Sequence, residues 1–197
     1  MSIDSAVIAA AISRVAQATA ECAEELNTAD GALGDGDLGI TVSRGFAEAA
    51  AATLPPNVGL ALLECAKAFQ RVSSSSYGTL VATGFMAAAK AAKGRETLEA
   101  AEIPGLLEAA LEAMMARGKG SLGDKTVLDS LDTVIGAIKG RPAEEMLDAA
   151  KAAAAETVET FRGLPNRLGR ARMFGDGSIG LPDPGQLAFQ RIVEGLG

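Results

Sequence analysis

Histidine is absent from the 197 residues of this chain. That excludes, within the chain, serine or cysteine triads with a histidine base, histidine zinc sites and phosphohistidine relays. Carboxylates, hydroxyls, lysine, arginine and backbone amides are left to carry any chemistry. Tryptophan is also missing, and aromatic residues make up 4% of a sequence that is 48% hydrophobic. Alanine fills the gap, which favours close-packed helices and excludes a sandwich of β-branched strands. The two cysteines, Cys22 and Cys65, have no CxxC or metal-ligand spacing and read as buried thiols without a disulfide. Neither a basic leader nor an apolar run of the ~20 residues needed for a membrane span is present, so the expected location is the cytoplasm. Positive charge is scarce as well: 18 Lys plus Arg against 25 Asp plus Glu give a net charge of -7. Nucleic acid and anionic membrane are therefore excluded as the main partner, although an acidic protein can still bind an anion through a metal. The length suits one domain over residues 1–197.

Apolar spacing predicts an all-α chain. Ile3, Val7, Ile8, Ile12 and Val15 share one helical stripe, as do Leu107, Ala110, Leu111, Met114 and Met115, and then Val127, Leu128, Leu131, Val134, Ile135 and Ile138. The helices expected are eight, near 3–27, 39–53, 58–72, 77–93, 102–117, 125–139, 143–162 and 184–195. Their connections alternate in kind. Those after the odd-numbered helices are rich in glycine or serine: Asp30 to Gly39, Ser73 to Ser76, Gly118 to Asp124, and Gly163 to Gly185. Those after the even-numbered helices are plainer turns, such as Leu54 to Asn57 and Gly140 to Pro142. Short connections make neighbouring helices antiparallel, so every odd connection lies at the same end of the bundle. The unusual loops then share one rim, ringed by helix N-termini whose free N–H groups and positive dipole ends suit phosphate.

The pattern GxGxxG occurs at Gly34, Gly36 and Gly39, at Gly118, Gly120 and Gly123, and at Gly175, Gly177 and Gly180. Each follows a helix, which excludes a dinucleotide fold that needs a preceding strand. Gly118 to Thr126 nearly spells a phosphate-binding Walker A loop, but Asp124 stands where the lysine belongs. Asp30, Asp35 and Asp37 are three carboxylates in one glycine-rich loop. An EF-hand is excluded, because its glycine and final glutamate would fall on Ile40 and Phe46. Carboxylates this close repel one another unless a cation neutralises them, and hard oxygen ligands suit Mg²⁺ bridging phosphates. The alternative is that Asp37 caps the following helix and the others are solvated turn residues. Lys125, Arg162, Arg167, Arg170 and Arg172 form a basic group beside the rim, placed to clamp phosphate; Arg162 could equally offset a helix C-terminal dipole. Asp183 and Pro184 make a good N-cap and first turn for the last helix. Tyr77, Met114 and Met115 read as core.

The stretches Gly34 to Asp37 with Gly39, Tyr77 to Thr79, Gly123 to Thr126 with Leu128 and Asp129, Gly169 to Ala171, and Gly175 to Gly180 with Asp183 to Gly185 occur in that order. On these residues the chain resembles the ADP-binding, DhaL-type subunit of dihydroxyacetone kinases along essentially its whole length. The resemblance implies an eight-helix antiparallel up-and-down barrel whose rim holds ADP or ATP and two Mg²⁺ ions, with Asp30, Asp35 and Asp37 as metal ligands and catalytic residues. It assigns nucleotide contacts to Leu38, Gly39, Ile40, Thr41, the serine loop with Ser75 and Ser76, Gly118, Val127, Arg170, Asp183, Pro184 and Gly185. It also implies a separate kinase subunit that holds the carbonyl substrate through a histidine, in keeping with a chain that has none. A phosphotransferase-system protein that rephosphorylates bound ADP, or simple exchange of ATP, would complete the cycle. Two departures stand out: Leu38 replaces the histidine usual after the last aspartate, and the serine loop is short. They motivate an alternative, a nucleotide-loaded regulatory module without turnover; a domain serving a kinase of acyl chains is a further one.

Overall fold

The computed structural model describes residues 2–72 and 75–197; Ser73 and Ser74, half of the expected serine loop, lie outside the described residues. Among the described residues the chain forms nine α-helices: α1 Ser5–Glu21, α2 Ala23–Leu33, α3 Leu38–Ala51, α4 Val58–Val72, α5 Ser76–Ala91, α6 Ile103–Gly118, α7 Val127–Ile138, α8 Ala143–Arg162 and α9 Pro184–Glu194. Short 3-10 turns occupy Ala100–Glu102 and Ala171–Ser178. The one strand pair among these residues, β1 Ser2–Ile3 antiparallel to β2 Leu98–Glu99, fastens the start of the chain and was not visible as alternation in the sequence. No helix of the described residues is long and apolar enough to cross a membrane.

The first helix departs from expectation. It kinks at Cys22 (φ -99°, ψ 8°) and then runs on to Leu33, so Asp30 and Gly31 belong to the last turn of α2 and not to a loop. The kink is mild because the Cys22 carbonyl still accepts from the Leu26 N–H at 3.1 Å. Gly31 costs roughly 1 kcal/mol in a helix relative to alanine, but its bare Cα gives room for the chain to fold back. Gly36, at φ +77°, lies so close that a Cβ there would be 3.5 Å from Gly31 Cα. Taking α1 and α2 as one kinked leg, eight legs pack in sequence order, and α9 returns to α1 and α2 to close the ring.

Several apolar clusters fill its interior. Phe46 of α3 meets Phe69 of α4 and Phe85 of α5 edge-on, the first pair at 5.0 Å between ring centres and 88° between planes. Val134 and Ile138 of α7 pack on Ala150 and Ala154 of α8 and Val193 of α9. Cys22 and Cys65 are free thiols. The plain connections gather at one end, where the Val58 N–H donates to the Arg95 carbonyl at 2.8 Å and joins the α3–α4 turn to the α5–α6 turn.

The crossing of α2 and α3 depends on Gly39. A Cβ there would collide with the Ala23 carbonyl, which is backbone and cannot swing aside. Helix propensity alone would reward Gly39→Ala by up to about 1 kcal/mol, whereas forced overpacking costs about 1–3 kcal/mol. Gly39→Ala should therefore lower the melting temperature by several degrees in a calorimetric scan, and a rise would show that the two helices do not touch there.

Candidate functional site

At the opposite end the four glycine- and serine-rich connections converge on a cavity of about 790 Å³. The N-termini of α3, α5, α7 and α9 all open onto it. Three of these ends are capped by their own side chains. The Ser75 hydroxyl accepts from the Gly78 N–H at 3.0 Å, the Thr126 hydroxyl from the Leu128 N–H at 3.2 Å, and Asp183 from the Gln186 N–H at 2.8 Å. The fourth differs: Asp37 stands at the cap of α3 but makes no side-chain capping bond, and the Asn27 side chain of α2 accepts the Ile40 N–H at 3.2 Å in its stead. The simple capping role weighed for Asp37 is thus not the one it takes.

Asp37 instead joins Asp30 and Asp35, whose carboxylates each offer an oxygen within 4.8 Å of the others. Local structure sets this up. Asp30, from the last turn of α2, accepts the N–H groups of Gly36 at 2.8 Å and Asp37 at 3.0 Å through one oxygen, so the loop is wound around its side chain. A Cβ at Gly34 would lie 2.6 Å from the other oxygen of Asp30, which is why the winding needs glycine there. Arg170, arriving from the α8–α9 connection, pairs with Asp35. Three hard oxygen donors at the N-terminal end of a helix form a donor set suited to a divalent cation of the magnesium type.

The cavity lining is of two kinds: charged, with the three aspartates, Arg44, Arg117 and Arg170, and apolar, with Val72, Leu80, Val127, Leu128 and Leu168. Of the residues singled out in the sequence, Leu38, Ile40, Thr41, Ser75, Ser76, Gly118, Val127, Arg170, Asp183, Pro184 and Gly185 line it together with the aspartates. Gly39 stands apart, turned against α2. Leu38, in the place of the family's histidine, is 6% exposed and packs into the core beside Val42 and Phe46.

The basic group does not assemble as expected. Lys125 points away from the cavity and is fully buried; its ammonium donates to the carbonyls of Leu164 (2.8 Å), Ser178 (3.0 Å) and Leu181 (2.9 Å). A positive φ of 60° turns it inward, and burial holds its pKa below the ordinary lysine value. Arg162 pairs with Glu159 and donates to the Gly180 carbonyl at 3.3 Å. Of the five, Arg170 alone reaches the cavity. Arg44 and Arg117, which are not in the expected basic group, also line the cavity. Arg44 follows Asp37 and Thr41 at helical spacing, and Arg117 sits one residue before Gly118; those two spacings were the available signals.

Asp183 is 7% exposed and ties three segments together. It accepts from the Asn166 side chain at 2.7 Å as well as capping α9, while Tyr77 donates to the neighbouring Gly185 carbonyl at 3.3 Å. Burial pushes its carboxyl from an ordinary 3.8 up to about 6, against the pull of these hydrogen bonds and the Lys125 ammonium. Folding therefore takes up a proton between about pH 4 and 6. The stability this group contributes is complete below about pH 4 and lost as the pH rises through 6, a change of up to ~3 kcal/mol. Relative to wild type, Asp183→Asn should gain that amount in unfolding free energy between pH 4 and pH 7, measured by denaturant titration. A gap that does not vary with pH would mean Asp183 ionises as freely as in water.

Comparison with known proteins places this geometry. A model of the DAK2 domain matches residues 32–197. The ADP-binding subunit DhaL of the PTS-dependent dihydroxyacetone kinase of Lactococcus lactis is 31% identical over 87% of this chain and 85% of its own length. DhaL of the PEP-dependent kinase of Escherichia coli is 27% identical over 88% of this chain and 86% of its own. L-erythrulose 1-kinase of Mycolicibacterium smegmatis is 29% identical over 96% of this chain, which spans 35% of that longer protein. The solved dihydroxyacetone kinase of C. freundii superposes with a TM-score of 0.80 at 23% identity, over 97% of this chain and 34% of that one, a likeness of fold. The family match runs from the end of α2 through α9, and so over nearly all of the cavity lining: the chain belongs to the DAK2 domain family.

Proposed function

We propose that this chain is the nucleotide- and Mg²⁺-binding phosphoryl-transfer component of a kinase acting on dihydroxyacetone or a similar short keto-sugar, with residues 1–197 as one domain and a separate subunit holding the carbonyl substrate. The observation that carries the reading is the set of three carboxylates, Asp30, Asp35 and Asp37, gathered at the N-terminus of α3 within a cavity that also has apolar lining. Apolar and charged lining in one cavity matches the two ends of a nucleotide. Its relatives named as dihydroxyacetone kinase DhaL subunits, L-erythrulose 1-kinase and triokinase support the kinase assignment, and a solved neighbour at a TM-score of 0.78 was crystallised with AMP-PNP and Mg²⁺.

Asp30, Asp35 and Asp37 would hold Mg²⁺, two ions by the resemblance, and the metal when bound would neutralise charge on the phosphates. The protein's own contribution is positioning. Val72, Leu80 and Leu168 would take the base, while the start of α3, Thr41 and Arg170, with Arg44 and Arg117 nearby, would face the phosphates. Backbone N–H groups and guanidinium groups fixed before the reaction stabilise charge on a transferring phosphoryl group without reorganising, which is where most of the catalysis of such transfers lies. No histidine is present to hold a carbonyl, so acceptor binding is assigned to the partner. ADP held in the cavity and recharged by a phosphotransferase-system protein is the proposed cycle, in line with the donors named for the DhaL relatives.

The purified chain with ATP and Mg²⁺ should not phosphorylate dihydroxyacetone. Product should appear on adding a carbonyl-binding kinase subunit with its donor system, and Asp35→Asn in that mixture should lower the rate by at least a hundredfold, as loss of a metal-holding charge does at such centres. Robust turnover by the chain alone, or an unaffected Asp35→Asn, would contradict the assignment.

A further inference from the structure

The three carboxylates of the rim are not equivalent. Asp30 is committed through one oxygen to the N–H groups of Gly36 and Asp37, so it is preset by the backbone. Asp35 is held by a side chain, the Arg170 guanidinium. Both members of that pair are open to solvent, at 63% and 43% exposure, where an ion pair is weak and readily exchanged. Arg170 also sits between Gly169, at φ +68° with open space around it, and the 3-10 turn Ala171–Ser178, a stretch of backbone with room to re-aim it.

We propose that Arg170 is an exchangeable latch on the metal site: it neutralises Asp35 while the site lacks a divalent cation, is displaced when the cation arrives, and then takes phosphate oxygens of the nucleotide. The inference rests on the functional reading above and deepens it. A dication beside Asp35 satisfies that carboxylate more strongly than a guanidinium does and repels the guanidinium. Phosphate brought in beside the metal offers Arg170 a bidentate anionic partner in exchange. One residue thus opposes metal binding in the absence of nucleotide and favours it in its presence, which makes the two ligands bind cooperatively.

The opposing signs give the test. Mn²⁺ is titrated into the full chain without nucleotide, following free Mn²⁺ by electron paramagnetic resonance, for wild type, Arg170→Ala and Arg172→Ala; Arg172 is an exposed neighbour outside the cavity lining and controls for the mere loss of a positive charge. Arg170→Ala should bind Mn²⁺ alone about two- to fivefold more tightly than wild type, with Arg172→Ala within twofold of wild type. With Mn²⁺ saturating, ADP should bind Arg170→Ala at least about tenfold more weakly than wild type. Unchanged or weaker Mn²⁺ binding by Arg170→Ala, an equal gain in Arg172→Ala, or no Mn²⁺ binding by wild type would overturn the latch. A wild-type chain that binds Mn²⁺ but not ADP would instead sink the kinase reading, while the metal titration still decides the exchange at Asp35.

Discussion

The buried Lys125 ammonium holds the rim together. The connection between α8 and α9 carries little regular structure, and its inner carbonyls at Leu164, Ser178 and Leu181 need donors. One lysine supplies all three, and its own backbone carbonyl accepts the Asn166 side chain at 3.0 Å, which also reaches Asp183 at 2.7 Å. The Ser178 hydroxyl closes the network by accepting the Asn166 N–H at 2.9 Å. Each carbonyl left without a partner there would cost about 1–3 kcal/mol. This knot, assembled from residues far apart in the chain, fixes the start of α9 against the α6–α7 loop and delivers Leu168 to Ala171 to the cavity.

Around that knot the charge is arranged with economy. A protein of net charge -7 draws an anion to its most acidic loop only if the field is inverted locally. Helix N-termini and three guanidinium groups begin the inversion, and a divalent cation on the aspartates would complete it. Capping differs among the four helices: α5, α7 and α9 are capped by the residue that precedes them, while α3 takes its cap from Asn27 of α2, at 3.2 Å from the Ile40 N–H, and its own N-cap residue Asp37 joins the carboxylate cluster.

Much of this was legible in the sequence. Apolar periodicity and composition placed α4 and α8 at the bounds observed, 58–72 and 143–162, and the alternation of plain and glycine-rich connections placed the aspartate loop on one rim with Arg170. What escaped was decided by tertiary contact. Gly31 looks like a breaker, yet α2 runs through it because the loop needs its bare Cα. Lys125 looks like a helix-opening cation beside Thr126, and nothing local announces the positive φ that turns it into the interior. Arg44 and Arg117 resemble ordinary solvated helix residues until the cavity is formed around them.

On this account, loops distant in sequence make one metal-dependent nucleotide site. Hydrogen exchange read by mass spectrometry tests it directly, with ADP added in the presence and absence of Mg²⁺. With both ligands, exchange should slow together in residues 34–41, 118–127, 168–171 and the first turn of α9, and ADP without Mg²⁺ should leave most of that protection missing. Protection confined to one of these segments, or the same with and without Mg²⁺, would contradict a shared rim site.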